Sequence, residues 1–380
     1  MKVIISGDFA PRHRLAKQVE ERAFQDIFPD ELVTIIKSAD YSLVNFESPI
    51  IDKGFKPIKK CGPNLGCTSD AADALKYAGF TAVTMANNHI FDYGTDGLYK
   101  SMEFCKKIGL DVVGVGKNLQ DAERTLYVEK AEKKLAIINC CEHEFSIATT
   151  TSGGANPLNP IHQYYAIQEA KKQADYVLVI VHGGHEHYQL PSPRMQETYR
   201  FFIDAGADAV VNHHQHCYSG YEVYNGKPIF YGLGNFCFDY KGKPTQKWTE
   251  GYLVEIDFGT EITYRIHPYC QYGDEATIKL LEKDCFNDTL NKLNTIITNP
   301  ESLKKNSLDY YNSSKEEIAT FLEPIRNRYI RGLQNRGLFP KLMNDKWLPV
   351  LSNAVMCEAH KDKLEYYLLS EMDKYNKETI

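Results

Sequence analysis

No two of the ten cysteines stand as a CxxC pair, so neither a zinc ribbon nor a thioredoxin-like redox site is indicated. Only Cys140 and Cys141 are adjacent, and the set reads as buried thiols of a reducing compartment. Cys61 and Cys67 share a glycine-rich loop and could approach each other, but nothing else points to secretion. No run of about 18 apolar residues occurs, which excludes a transmembrane helix and hence a membrane anchor of that kind. The opening Met-Lys-Val-Ile-Ile-Ser-Gly-Asp is too short in its apolar part for a signal peptide and carries no cleavage site, so a cytoplasmic location is expected. Basic charge is not in excess. Lys and Arg number 44 against 50 Asp and Glu, a net charge of −6, which argues against nucleic acid or an anionic membrane as partner. No GxxxxGK[ST] motif supports nucleotide binding, and neither internal repeats nor low-complexity tracts occur.

What is present is an ordinary globular composition, 43% hydrophobic and 25% charged over 380 residues, enough for one large domain or two smaller ones. One pattern recurs six times: a short apolar β-type run stops abruptly at polar or glycine residues. Ile4-Ile5 leads to Ser6-Gly7-Asp8, and Leu43-Val44 to Asn45-Phe46-Glu47-Ser48-Pro49. Ala82 to Met85 leads to Ala86-Asn87-Asn88-His89, and Val177 to Val181 leads to His182-Gly183-Gly184-His185-Glu186-His187. Val210-Val211 leads to Asn212-His213-His214-Gln215-His216, and Ile229 to Leu233 leads to Gly234-Asn235-Phe236. Nearly continuous apolar runs suit strands buried on both faces.

Helical periodicity lies between these runs, at 15–28, 70–78, 96–108, 163–173 and 193–205, with Gly79, Gly109 and Gly206 placed as C-terminal stops. Strand–helix alternation predicts an α/β architecture, with ligands collecting beyond the carboxyl ends of the strands. Residues 252–258 and 262–266 alternate and predict an antiparallel hairpin that closes the sheet. From about residue 275 the texture turns helical, at 278–294, 314–333 and 354–375. The expected division is therefore a main domain, 1–270, and a helical C-terminal extension, 271–380, read as a cap or association surface.

Two-metal hydrolases need hard oxygen ligands and imidazoles converging from several strand ends, with one carboxylate shared by both ions. Asp8, Glu47, Asn88, His182, His214 and His216 each follow a strand directly. Carboxylates suit Mn, Mg or Fe, imidazoles suit Zn, Fe or Mn, and no cysteine stands among them. One such turn also arises as a helix cap or a solvated loop. Five in chain order are hard to explain structurally, and the three imidazoles of 213–216 harder still.

In this order, Gly7-Asp8, Asn45-Phe46-Glu47-Ser48-Pro49, Ala86-Asn87-Asn88-His89 with Asp92 and Gly94, His182-x-Gly184-x-Glu186, Asn212 to His216 and Tyr231 to Phe236 resemble the CapA/PgsA family of capsule and poly-γ-glutamate biosynthesis proteins. That family is similar to calcineurin-like metallophosphoesterases. The resemblance covers residues 1–258. It implies a metallophosphatase-like four-layer sandwich, two mixed sheets flanked by helices. It further implies two divalent ions (Mn, Fe or Zn), with Asp8 and His216 on the first, Asn88, His182 and His214 on the second, and Glu47 as the bridge. His89 would act on the leaving group, while Asn45, Asp92 and Glu186 would serve the site or the substrate; His89, Asp92 and Glu186 are the catalytic candidates.

Departures from the pattern are specific. The wider superfamily has a histidine where Ala10 stands, which leaves the first ion a ligand short, and His13 has the wrong spacing to replace it. Glu47 stands where an aspartate is usual, Gly183 replaces an aromatic, and Asn212 replaces a glycine. His185 and His187 are extra imidazoles, and the cluster Cys140-Cys141-Glu142-His143-Glu144 also follows a strand. The resemblance therefore implies a metal-dependent hydrolase in which a metal-bound hydroxide attacks a phosphoester, or an amide of an anionic polymer, in capsule or poly-γ-glutamate synthesis. The alternative is a non-catalytic accessory protein that binds an anionic polymer or a synthase partner. A ligase or transferase role has no nucleotide motif behind it.

Overall fold

The computed structural model describes residues 1–60, 62–130, 132–313 and 328–338, together with Trp347, Leu348, Leu351, Val355, Leu368 and Met372. The strands are β1 (Lys2–Phe9), β2 (Tyr41–Phe46), β3 (Ala82–Thr84), β4 (Asp111–Val113), β5 (Val115–Gly116), β6 (Leu126–Lys130), β7 (Lys133–Cys141) and β8 (Gly154–Ala155). They continue with β9 (Tyr176–His182), β10 (Ala209–His213), β11 (Tyr221–Tyr224), β12 (Lys227–Phe230), β13 (Asn235–Cys237), β14 (Glu250–Phe258), β15 (Ile262–Gln271) and β16 (Ile278–Leu280).

Two mixed sheets carry the fold. The first runs β16-β15-β14-β1-β2-β3-β4, with β13 pairing to β1; the second runs β11-β12-β10-β9-β7-β6; β5 and β8 form a small separate ribbon. In the first, β1 to β4 are parallel and β14 to β16 add antiparallel strands beside β1. In the second, β7, β9, β10 and β12 are parallel and both edges, β6 and β11, are antiparallel.

The period-2 alternation of strand side chains decides the layering. Val3 and Ile5 of β1, Leu43 of β2 and Val254 and Ile256 of β14 pack into one core with β7, β9 and β10 of the second sheet. Their neighbours Ile4, Val44 and Leu253 pack into another core with Leu15, Val19, Leu32, Ile36, Leu75 and Leu98 of the helices on the outer side. The second sheet is covered by helices Pro160–Gln173 and Pro193–Asp204 through Ile167, Ala170, Tyr199 and Phe202. Helix, sheet, sheet, helix is the expected four-layer arrangement. Asn159 and Ser192 start those two covering helices, their side chains accepting from the N–H groups of Ile161 and Met195, as helix N-caps do.

Some elements differ from the sequence reading. The helix expected at 15–28 is two, His13–Glu20 and Phe24–Ile27, because the chain turns at Arg22 with φ of 56°. The stretch 278–294 starts as a strand, β16, hydrogen-bonded to β15, and becomes helical only over Lys283–Thr298. The hairpin β14–β15 is longer than its alternation suggests and reaches Gln271. Helix Asp30–Lys37 and the hairpin β11–β12 were not anticipated by periodicity. Compactness divides the chain at Lys304, beyond the expected boundary at 270, into 1–304 and 305–380. Of the helices expected at 314–333 and 354–375, Arg328–Asn335 is described as helix; the rest lies largely outside the described residues, as does Cys61.

Candidate metal centre

Register brings the strand ends to one place. Asp8 of β1 sits opposite Asn45 of β2 and Asn235 of β13. His182, the last residue of β9, sits opposite His213 of β10. Glu47 follows β2, its N–H donating to Phe9 O at 3.0 Å. The two sheets are joined by His213 itself, whose Nε2 donates to the Ser6 carbonyl at 2.9 Å. One of the three imidazoles is thus a structural tie, while His214 and His216 turn inward. Both of those have positive φ, 92° and 53°, a strained backbone of the kind held where function over-determines it.

Gly7 lets the strands come this close. A Cβ there would lie 1.8 Å from Gly234 O, the carbonyl that accepts from Asp8 N–H at 3.2 Å. A side chain at position 7 would push β1, and Asp8 with it, away from the centre.

Two triads of ligand atoms result: Asp8, Glu47 and His216, and Glu47, His182 and His214, each with its atoms within 4.8 Å of one another and every residue buried. Glu47 belongs to both. Its Oε1 is 3.8 Å from His216 Nε2 and 3.7 Å from His182 Nε2. Asn88 joins the second group, with Oδ1 3.0 Å from His182 Nε2, and His214 Nδ1 is 3.0 Å from the same His182 nitrogen. Asn45 Nδ2 donates to Asp8 Oδ1 at 2.7 Å and stands 3.2 Å from His182 Nδ1, and His214 N–H donates to Asp8 Oδ2 at 3.2 Å.

Burial sets the electrostatics. Both carboxylate oxygens of Glu47 are buried and neither finds a hydrogen-bond donor among the described residues. Burial first, and the charge of Asp8 second, push its carboxyl well above the usual range. Burial also works upward on Asp8, yet the close approach of His216, with Nδ1 3.6 Å from Asp8 Oδ2, and the charges of His213 and His216 hold it below its ordinary value. His182 is driven well down by burial and the neighbouring imidazoles, and His214 to about 4 by burial and His216. Burial works downward on His216 too, but Glu47 and Asp8 raise it to about 10. A buried carboxylate with no donor is costly to keep. The donor set around it, oxygen and imidazole nitrogen without thiolate, is one that Mn, Fe or Zn would satisfy.

The other candidates divide. His89 Nδ1 lies 2.7 Å from Asp92 Oδ2, and burial lowers the pKa of His89 although Asp92 opposes it. Glu186 is half exposed, its carboxyl held low, against burial, by His216 and His214. Of the extra imidazoles, His187 packs against Trp248 and His216, with ring centroids 5.6 and 6.1 Å away, and His185 packs near Tyr188. Glu144 accepts from Asn88 Nδ2 at 3.4 Å and lies 3.8 Å from His214 Nε2, so the 140–144 cluster does reach the cleft. Ala10 is fully buried with Leu65 and Phe238, and His13 is exposed; the position of the missing histidine is filled by apolar packing. Asn212, in place of glycine, donates to the carbonyls of Gly183, His213 and Tyr231 and accepts from Tyr199 OH.

Two contributors escape sequence reasoning. Asn235 accepts at Oδ1 from His216 Nδ1 at 2.9 Å, its orientation fixed because Nδ2 donates to His216 O and Trp248 O. Its place in the 231–236 motif was the available signal. Lys60, in a loop without periodicity, has its ammonium paired with Asp92 and 3.1 Å from His89 Nδ1.

Residues 2–240 match the family described as bacterial capsule synthesis protein PGA_cap. The chain belongs to that family. A capsule biosynthesis protein CapA of Bacillus anthracis is 34% identical over 244 residues, 62% of this chain and 58% of that protein. A PGA biosynthesis protein CapA of Bacillus subtilis is 35% identical over 248 residues, 64% of this chain and 63% of that one. The match thus spans about three-fifths of these PGA_cap relatives. Among solved structures, a novel phosphatase from Mycoplasma pneumoniae aligns with 76% of this chain and 98% of its own, at 14% identity and a TM-score of 0.44. The PGA_cap match contains every ligand position of both triads.

Proposed function

We propose that this chain is a metal-dependent hydrolase of phosphoester-type bonds, acting in capsule or poly-γ-glutamate synthesis. The observation that carries the reading is Glu47, a buried carboxylate without a donor, shared by two triads of ligand atoms. Asp8, Glu47 and His216 would hold one divalent ion, and Glu47, Asn88, His182 and His214 the other. Such a pair, when bound, supplies Lewis acidity and lowers the pKa of water toward ~7.

The chain's own groups do the rest. Asp8, fixed by Asn45 and by His214 N–H, holds the carboxylate side of the site in place. His89 keeps Nδ1 toward Asp92, which leaves Nε2 to meet a leaving-group oxygen as acid or hydrogen-bond donor. Glu186, half exposed among the imidazoles, is assigned to the entrance, where substrate arrives. The substrate class is an anionic small molecule or polymer, and the proposed location is cytoplasmic. No helix among the described residues is long and apolar enough to cross a membrane.

The test is metal content of the purified protein, read with turnover of bis-p-nitrophenyl phosphate and p-nitrophenyl phosphate. The expected outcome is bound Mn, Fe or Zn and metal-dependent turnover, with turnover lost in His214→Ala and bound metal lost in His214→Ala/His216→Ala, which removes an imidazole from each triad. Metal bound without turnover of any ester or amide sinks the hydrolase.

A second reading has one observation behind it. Ala10, buried beneath Leu65 and Phe238, removes a ligand that the superfamily pattern supplies. An accessory protein that binds an anionic polymer or a synthase would tolerate that loss. Capture of capsule-synthesis partners that survives His214→Ala/His216→Ala would favour it.

A further inference from the structure

Residues 51–60 and 62–67 lie outside every motif of the site, yet they are held by it. The ends of this stretch are closed by the parallel bridge of Ile50 with Cys67 and by Ile51 N–H donating to Cys67 O at 2.9 Å. Its middle is docked on one residue, Asp92. The Asp92 carbonyl accepts from Ile58 N–H at 2.9 Å and from Asn64 Nδ2 at 2.9 Å. The Asp92 carboxylate accepts from Leu65 N–H, through Oδ2, at 2.6 Å. Lys60, with its side chain 2% exposed, pairs with the other oxygen of that carboxylate, which is wholly buried.

The same carboxylate orients His89. Its Oδ2 is 2.7 Å from His89 Nδ1, so Nδ1 carries the hydrogen and donates, and cannot also accept from Lys60. The ammonium, 3.1 Å from that nitrogen, is therefore ion-paired with Asp92 Oδ1 and stands beside the ring without bonding to it. Asp92 has two oxygens and two lateral jobs. Leu65 N–H and His89 share Oδ2, and Lys60 alone holds Oδ1. Without the ammonium, Oδ1 is left buried with no other partner among the described residues, and only the two bonds that share Oδ2 still oppose rotation of the carboxylate about its Cβ–Cγ bond.

We infer that Lys60 is a positioning residue of this site: from a strap that Asp92 ties down, its ammonium locks the Asp92 carboxylate and through it the ring of His89. The inference rests on the role proposed above for His89, but its geometry does not depend on metal. Lys60 touches none of the ligand atoms of either triad, so the cation set is independent of it.

The experiment compares wild type with Lys60→Met, Lys60→Gln and Lys60→Arg in the full chain. The primary readout is the ring N–H resonance of His89 in protein labelled with 15N-histidine, assigned by its loss in His89→Gln. A proton held between Nδ1 and Asp92 is expected as a slowly exchanging signal in wild type and in Lys60→Arg. It is expected to broaden or vanish in Lys60→Met and Lys60→Gln. With bound metal equal in all, kcat on the p-nitrophenyl esters is expected to fall on the order of tenfold or more, with KM little changed, as for a misaligned catalytic group. A His89 signal identical to wild type in the folded Met or Gln variant overturns the inference. A role confined to holding the strap would lower thermal stability and leave that signal in place. If wild type hydrolyses neither ester, the hydrolase reading fails and the resonance still decides Lys60.

Discussion

His216 illustrates how a single side chain is committed to its task by a neighbour. Asn235 cannot turn its amide, because Nδ2 serves two carbonyls, so its Oδ1 takes the hydrogen from His216 Nδ1. That leaves Nε2, on the Glu47 side, as the nitrogen open to a metal ion, the usual logic of a second contact that fixes a tautomer. Asn235→Ala is therefore expected to weaken ion binding at the Asp8–Glu47–His216 triad by ~10–100-fold and to spare the Glu47–His182–His214 triad, read as one phase of a metal titration moving to higher concentration while the other stays in place. Asp8, Glu47, Asn88, His182, His214 and His216 are legible in the sequence because each directly follows a β-type run. Lys60 and the orienting role of Asn235 are not, because a loop lysine gives no periodic signal and an amide's partner is set by folding. His213 stands in the same imidazole cluster in the sequence without being a ligand candidate, and in space it is a tie between sheets; two adjacent histidines cannot both face inward from a strand end.

At the scale of elements, the strands with unbroken apolar runs, β1, β2, β9 and β10, are readable because burial on both faces leaves a composition that few other structures need. The edges are less so. β6 and β11 are partly exposed, and their alternation is weak. A signal for β11–β12 did exist in Asn225-Gly226, with φ of 50° and 75°, the pair that a tight hairpin turn favours. Close approach of elements leaves its own mark at Gly7. Gly7→Ala places a methyl against Gly234 O, and the expected cost is at least about 1–3 kcal/mol in chemical denaturation, with weaker metal binding because Asp8 moves. An unchanged midpoint and unchanged metal affinity would show that β1 and the Gly234 turn have room to separate.

For the whole of residues 1–304, the ligand cluster lies where the carboxyl ends of two sheets meet, so ions there would act as a staple between layers. Binding that is confined to the folded state stabilises it by about 2.7 kcal/mol at a free ion concentration a hundred times Kd. Dialysis against a chelator is expected to lower Tm by several degrees, Mn or Zn to restore it, and His214→Ala/His216→Ala, which takes an imidazole from each triad, to abolish the difference. Equal Tm with and without chelator would remove the ions from the native state. The α/β plan follows from strand–helix alternation and the four layers from the family resemblance, but the domain limit follows from neither, because helix Lys283–Thr298 joins the first unit through long-range packing of Leu290, Leu293 and Ile297.

The ligands of the two triads run from Asp8 to His216 along the chain, a separation that has a temporal meaning. During synthesis the first carboxylate emerges long before the last imidazole, and closing so long a loop carries a large entropic penalty that only the formed sheets offset. A nascent chain that binds ions at these triads would therefore not capture them early. Any metal loading would belong at the end of maturation, after β10 has docked beside β9, and an amino-terminal fragment released by a stalled ribosome would leave the cell's metal pool untouched.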